Sequence, residues 1–265
     1  MSQPSEKIDL GSFYHIYNRG INSCNLFMME DDYRHLLLLY EKYIDPIAEI
    51  YSYVLLPNHI HLLVRIKENV RYKYSMEEIK KVNTRNVVRS IDADKFGDAV
   101  GLEINKWETV SLPDGAEGPS ALKENGDHSA LKENDLSNPA RSADAGRLDT
   151  VRLPDATRHF SHFFNAYAKY YNTRYNRHGA LFERPFKRKR VDSNEYLKNL
   201  LIYIHTNPVH HGFVSNALEY GWSSYLDYLT GTNPIYQRCM EDYFGDINNF
   251  RACHQSIDFD EDIFD

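Results

Sequence analysis

The first 67 residues switch between two hydrophobic periods. "SFYHIYNRG" reads as a strand closing at Gly20, and "DDYRHLLLLYEKYI" spaces its apolar residues helically behind acids in the first turn. "AEIYSYVLLP" and "HIHLLVRI" are β-branched and aromatic runs joined by the turn dipeptide Pro57-Asn58, giving the order β-α-β-β. Periodicity lapses from about Glu68 to Pro154, where Gly, Ser, Asn, Asp and Pro dominate and "SALKEN" occurs at Ser120 and again at Ser129. Two short copies are too few for a solenoid, so a low-complexity insertion, partly disordered, is expected over 68–154, with one candidate helix in "SMEEIKKVNTRNVVRSIDA".

Pattern returns after residue 155. "RHFSHFFNAYAKYYNTRYNRHG" sets aromatics at helical spacing up to a capping Gly179, with Phe160, Phe163, Phe164 and Tyr167 as expected core. A strand "FKRKRV" follows, and Asp192 or Ser193 caps "NEYLKNLLIYIHTNP", a helix expected to end near Asn207 because Pro208 cannot continue it. The order predicts an α+β fold: a ferredoxin-like split β-α-β antiparallel sheet with helices on one face, a long insertion and an extra C-terminal helix. The expected map is one discontinuous domain over 1–67 and 155–230, the insertion, and an acidic C-terminal extension over 231–265.

Composition narrows the class. The opening "MSQPSEKIDL" is too polar for a signal peptide and no run approaches a membrane span, so a cytoplasmic protein is expected. Cys24, Cys239 and Cys253 are widely spaced and odd in number, which suggests neither disulfides nor a thiolate metal site. Net charge is −7, but from Glu241 onward there are eight acids and one arginine, so the first 240 residues carry no net charge. Within them, 156–191 holds nine Lys or Arg against the single acid Glu183. Such a segment suits either a solvated face or nucleic acid.

The chemistry concentrates in two places. His59 and His61, two apart on a strand, share one face, a start on a divalent-metal site. On the later helix Tyr203 and Asn207 are four apart and share a face, with Leu200 one turn and Tyr196 two turns back. Tyr203 is either a partly buried aromatic with its hydroxyl satisfied or a nucleophile, Asn207 either a helix C-terminal residue or an oxygen ligand, and spacing alone leaves Tyr196 open for the nucleophile's role. His205 is about 200° round the helix from Tyr203 and is expected to be structural. His15 either reaches the site or packs in the sheet.

"PNHIHLLV", "GALFERPFKRKRV", "YLKNLLIYIHTNPVHHGFV" and "WSSY", in that order, resemble the single-tyrosine transposases of the HUH superfamily, most closely the REP-associated tyrosine transposases. The resemblance covers about 11–67 and 158–228. It implies His59, His61 and Asn207 as ligands for Mg²⁺ or Mn²⁺ and Tyr203 as the nucleophile. The implied activity is a metal-dependent endonuclease and strand transferase for single-stranded DNA carrying repeat hairpins, working through a 5′-phosphotyrosine. Arg174, Arg177, Arg184, Lys187, Arg188, Lys189 and Arg190 are candidate phosphate contacts, the surest being Arg188 and Arg190, and Tyr171, Tyr175 or Phe182 are candidate stacking platforms. A monomer or homodimer with no membrane partner is expected. The alternatives are a domesticated, catalytically silent hairpin-binding protein and an RNA-binding module of similar sheet.

Overall fold

The computed structural model of the protein describes residues 7–72, 107–109 and 153–255. The candidate helix after Ser75, both "SALKEN" copies and the terminal "DFDEDIFD" lie outside them. The chain divides into two compact units, Met1–Val70 with Pro154–Asp265, and Arg71–Leu153. A two-stranded pairing joins β4 (Val70–Tyr72) and β5 (Trp107–Thr109).

The first unit is built on four strands, β1 (Phe13–Arg19), β2 (Ala48–Leu56), β3 (His59–Ile66) and β6 (Lys187–Val191), in the order β2-β3-β1-β6 with every neighbour antiparallel. Helix α1 (Glu30–Tyr43) connects β1 to β2 across the intervening β3, and α2 (Ala156–Arg174) precedes β6. This is an antiparallel α+β sheet, as the alternation of periods predicts.

Register decides what each face carries. Tyr17 pairs with His61, Ile16 with both Leu62 and Arg188, and His15 with Lys189. Because successive side chains alternate, Tyr14, Ile16, Ile60, Leu62, Val64 and Arg188 share one face, while His15, Tyr17, His59, His61, Lys187 and Lys189 share the other. Arg188 Nη1 donates to Thr157 Oγ1 at 3.0 Å in the first turn of α2, so α2 lies over the first face. Phe160, Phe163, Phe164 and Tyr167 are buried there, as their spacing predicts.

Helix α1 is clamped to α2 through one carboxylate. Asp32, fully buried, accepts from the Met28 and Met29 N–H groups at 2.8 and 3.0 Å, from Tyr175 OH at 2.7 Å and from Tyr170 OH at 3.2 Å. Burial alone would raise its pKa, but these donors outweigh burial and hold the carboxyl below its usual range.

The helices are not confined to one face. Helix α3 (Asn194–His210) lies over the histidine face, where the Lys189 ammonium sits 5.2 Å from the Tyr196 ring centroid and the Tyr203 ring packs on His61. From Leu200 to Pro208 every side chain of α3 is buried, His205, Thr206 and Asn207 included. Two helix ends also differ from expectation. Helix α2 stops at Arg174, five residues before Gly179, with Asn176 taking the positive-φ turn at φ 48. Helix α3 runs through Pro208 to His210, since the proline forfeits only its own N–H and His211 N–H closes the last turn on Asn207 O at 3.0 Å.

"WSSY" seals the outer edge of β2. Leu55 N–H donates to Trp222 O at 2.9 Å and Ser224 N–H to Tyr53 O at 3.0 Å, which covers an edge otherwise open to pairing. Beyond it, α4 (Tyr225–Thr230), α5 (Pro234–Phe244) and α6 (Ile247–Gln255) belong to the same compact unit, burying Tyr228, Tyr236, Cys239, Phe244 and Phe250. Most of the region read as an acidic extension is therefore packed structure. Among the described residues no helix is long and apolar enough to cross a membrane.

Candidate active site

Two elements build the site. β3 emerges from the Pro57-Asn58 turn with His59 and His61 side by side on the α3 face, their ring centroids 5.1 Å apart and nearly perpendicular. Helix α3 brings Asn207 to His59, with Oδ1 3.2 Å from Nε2, and Tyr203 to His61, with ring centroids 5.7 Å apart. The i, i+4 spacing of Tyr203 and Asn207 thus meets the i, i+2 spacing of the histidines, one pair on each element.

Hydrogen bonds fix which nitrogens face the site. His59 Nδ1 is 2.6 Å from Asn58 Oδ1, so the ring proton belongs on Nδ1 and Nε2 presents a lone pair toward Asn207. As placed, that lone pair faces the Asn207 oxygen, while Asn207 Nδ2 is buried with no partner. Turning the amide over satisfies His59 but leaves the oxygen buried instead. His61 Nδ1 lies 2.9 Å from His15 Nε2, which leaves His61 Nε2 for the site.

Burial, reinforced by the Lys189 charge, pushes the His15 pKa down to about 3, and burial with the neighbouring His15, His59, His211 and Arg19 pushes His61 well below its ordinary value. Both rings are neutral at physiological pH, the form a metal requires. Among the described residues no cluster of three or more His, Cys, Asp or Glu side chains is placed to hold an ion. Two imidazole nitrogens and one amide oxygen fit a divalent cation that keeps positions open for other oxygen ligands, and an ion between them would relieve the opposed lone pairs of His59 Nε2 and Asn207 Oδ1. In octahedral geometry adjacent ligands stand about 3 Å apart, close to the His59–Asn207 separation.

Tyr203 and Tyr17 pack against the histidines, and Tyr196 lies beside Lys189. Tyr203 is 1% exposed. Tyr196 lies further from them, near Lys189, and burial with the neighbouring Tyr17 pushes its pKa up to about 12. Tyr17, half-buried, stacks on both His15 and His61, at 4.5 and 5.7 Å between centroids. A small pocket of about 160 Å³ opens on the histidines and is lined by Tyr17, Asn18, Arg19, His59, His61, Glu183 and Lys187. Tyr17, Arg19 and Glu183 were missed in the sequence. Alternation along β1 puts His15, Tyr17 and Arg19 together, but only the pairing with β3 sets them beside the histidines.

The basic segment divides. Lys187 and Lys189 point to the histidine face, their ammonium groups 5.3 Å and 5.2 Å from the Tyr17 and Tyr196 ring centroids. Arg188 and Arg190 point the other way, Arg188 to Thr157 and Arg190 to Asp9 and Asp192, at 3.3 and 2.8 Å. Arg174 is engaged by Asp31 and Asp32 at 3.4 and 3.6 Å. Arg177 and Arg184 donate to the side-chain oxygens of Asn172 and Asn165 at 3.2 and 3.3 Å. Of the stacking candidates, Tyr171 and Phe182 are buried and Tyr175 donates to Asp32. His205 is structural. Fully buried on the far side of α3, its Nδ1 is 3.0 Å from His254 Nε2 and its Nε2 2.8 Å from Ser224 Oγ.

No family model and no curated protein matches the chain. A solved structure described as the REP associates tyrosine transposase bound to a REP hairpin is similar at 13% identity and a TM-score of 0.45, over 89% of this chain and 90% of that one. At that distance the likeness assigns no role to any residue here.

Proposed function

We propose that this protein is a metal-dependent endonuclease and strand transferase for single-stranded DNA, transposase-like, acting at repeat hairpins with Tyr203 as nucleophile. The observation that carries the reading is the meeting of His59, His61, Asn207 and Tyr203, two short motifs distant in sequence, at one point between β3 and α3. The order of the four sequence motifs supports it independently.

His59, His61 and Asn207 would hold Mg²⁺ or Mn²⁺, which when bound supplies Lewis-acid polarisation of a phosphate. Tyr203 Oη attacks phosphorus, the Oη–P bond forms and the P–O3′ bond breaks. The phenol gives up its proton and the departing 3′ oxygen takes one up, leaving a 5′-phosphotyrosine and a free 3′-hydroxyl. The phosphodiester's energy is conserved in the adduct, so attack by a second 3′-hydroxyl rejoins strands without ATP. Tyr203 is buried between α3 and the sheet, so on this reading α3 must shift from β3 for a phosphate to reach it.

A second nucleophile has one observation in its favour: Tyr17, not Tyr203, lines the pocket that opens on the histidines. The test is a denaturing gel of the full chain with hairpin oligonucleotides and Mn²⁺, comparing wild type, Tyr203→Phe and Tyr17→Phe. A metal-dependent adduct that survives denaturation and vanishes only in Tyr203→Phe is the expected result. Loss only in Tyr17→Phe moves the nucleophile to β1, and binding without adduct leaves the catalytically silent protein.

A further inference from the structure

Strand register sets two cations beside the candidate metal ligands. On β1, Arg19 stands opposite His59 of β3, and Tyr17 stands opposite His61 on one side and Lys187 of β6 on the other. Alternation keeps Arg19, Tyr17, Lys187 and both histidines on one face of the sheet, where with Asn18 and Glu183 they line the pocket of about 160 Å³. Glu183 reaches it because its N–H donates to Arg19 O at 2.8 Å, which holds the 181–183 segment against the end of β1. Arg19 and Lys187 are exposed, and the Arg19 charge lies close enough to help keep His61 neutral.

We infer that Arg19 and Lys187 are catalytic residues that hold the scissile phosphate in this pocket and stabilise the charge it gains when the tyrosine attacks; the inference rests on the strand-transfer reading above. The first argument is charge. A divalent ion on His59 and His61 would share the pocket with a guanidinium and an ammonium, against the single carboxylate of Glu183. Like charges so close repel strongly where water is partly excluded, so the pocket calls for an anion among them. The second argument is size. A volume of about 160 Å³ holds about five waters, enough for one phosphoryl group and too little for a whole nucleotide. A phosphodiester is a monoanion, and attack by the phenol oxygen, as it loses its proton, adds a second charge until O3′ departs with it. Fixed donors aimed at the non-bridging oxygens stabilise that charge more than the ground state. A planar guanidinium reaches two such oxygens at once, while the Lys187 ammonium is a compact charge held 5.3 Å from the Tyr17 ring centroid. Lys187 is thus assigned to the reacting phosphate rather than to the backbone of bound DNA, and Arg19 acts with it.

The test uses the full chain, first with inorganic phosphate as the probe. Bound Mn²⁺ speeds the ³¹P relaxation of a phosphate held beside it, and electron paramagnetic resonance measures Mn²⁺ binding in the same sample. Wild type should relax phosphate saturably and faster than Mn²⁺ alone. The double variant Arg19→Gln/Lys187→Gln should raise the half-saturating phosphate concentration about tenfold or more. Its Mn²⁺ affinity should be unchanged or tighter, because two repelling cations are gone. With hairpin oligonucleotides, each single variant should slow adduct formation about 10²–10³-fold while hairpin affinity by anisotropy stays within about threefold. A methylphosphonate at the position wild type cleaves removes one charge and should shrink that deficit about tenfold or more. Rate and hairpin affinity falling together, or phosphate relaxed no faster beside protein-bound Mn²⁺, overturns the clamp and leaves the metal centre in place. Wild type that binds no Mn²⁺ and forms no adduct overturns the strand-transfer reading, and the clamp with it.

Discussion

An imidazole acts as a ligand through one nitrogen, and what holds the other nitrogen decides whether the first is available. For His61 that partner is His15, 2.9 Å away and fully buried. His61 presents Nε2 as a lone pair only if its Nδ1–H donates to His15 Nε2, so His15→Leu should leave that proton unpaired and loosen the ring. The predicted result is a 10- to 100-fold rise in the Mn²⁺ concentration that half-supports adduct formation. Mn²⁺ binding followed by electron paramagnetic resonance without DNA should move by the same factor. Asn207→Ala should weaken Mn²⁺ binding in the same measurement, and Mn²⁺ should outperform Mg²⁺ because two of the three donors are imidazoles.

At the scale of elements, one hydroxyl joins three of them. His254 Nδ1 donates to Phe250 O at 2.7 Å, its Nε2 accepts from His205 Nδ1, His205 Nε2 accepts from Ser224 Oγ, and Ser224 Oγ accepts from Tyr53 N–H at 2.9 Å. The chain runs from α6 through α3 to the edge strand β2 with every proton assigned by its neighbours. Ser224→Ala leaves His205 and the Tyr53 N–H unsatisfied in the interior, a loss of about 1–3 kcal/mol. Thermal melting should show a fall of several degrees. Asp32→Asn presents an amide to four donors that a carboxylate satisfied, and should be at least as damaging in the same melt.

What was legible in the sequence was local. Period two put His59 and His61 on one face, the four-residue spacing put Tyr203 over Asn207, and the aromatics of α2 marked its buried side. What was not legible depended on pairing and layering. Tyr17 and Glu183 reach the site only through strand register and the return of the 181–183 segment against β1. Helices α5 and α6 were hidden by the acids around them, although Tyr236, Cys239, Phe244 and Phe250 carry the buried side.

For the whole molecule, pH dependence follows from the buried histidines. Burial lowers His254 to about 4 against an ordinary 6.5, and the bond to Phe250 O does not reverse that. A depressed histidine pKa means that the unfolded chain binds the proton first. Stability is therefore full above about pH 6.5 and falls as pH drops toward 4. Urea titrations across that window should show the decline, and His254→Gln should reduce its slope by up to about 1.4 kcal/mol per pH unit. Charge at this scale also bears on DNA: if Arg177 contacts phosphate, Arg177→Ala should reduce the slope of log affinity against log salt by about one.

The central claim is that a strand histidine pair and a helix tyrosine form one catalytic centre, and the most direct test is to locate the adduct. Wild-type protein incubated with Mn²⁺ and a flanked hairpin, then digested with trypsin and nuclease, should yield by mass spectrometry one nucleotide-bearing peptide, modified at Tyr203. A nucleotide found on Tyr17 or Tyr196 instead, or no modified peptide from any hairpin that the protein binds, would contradict it.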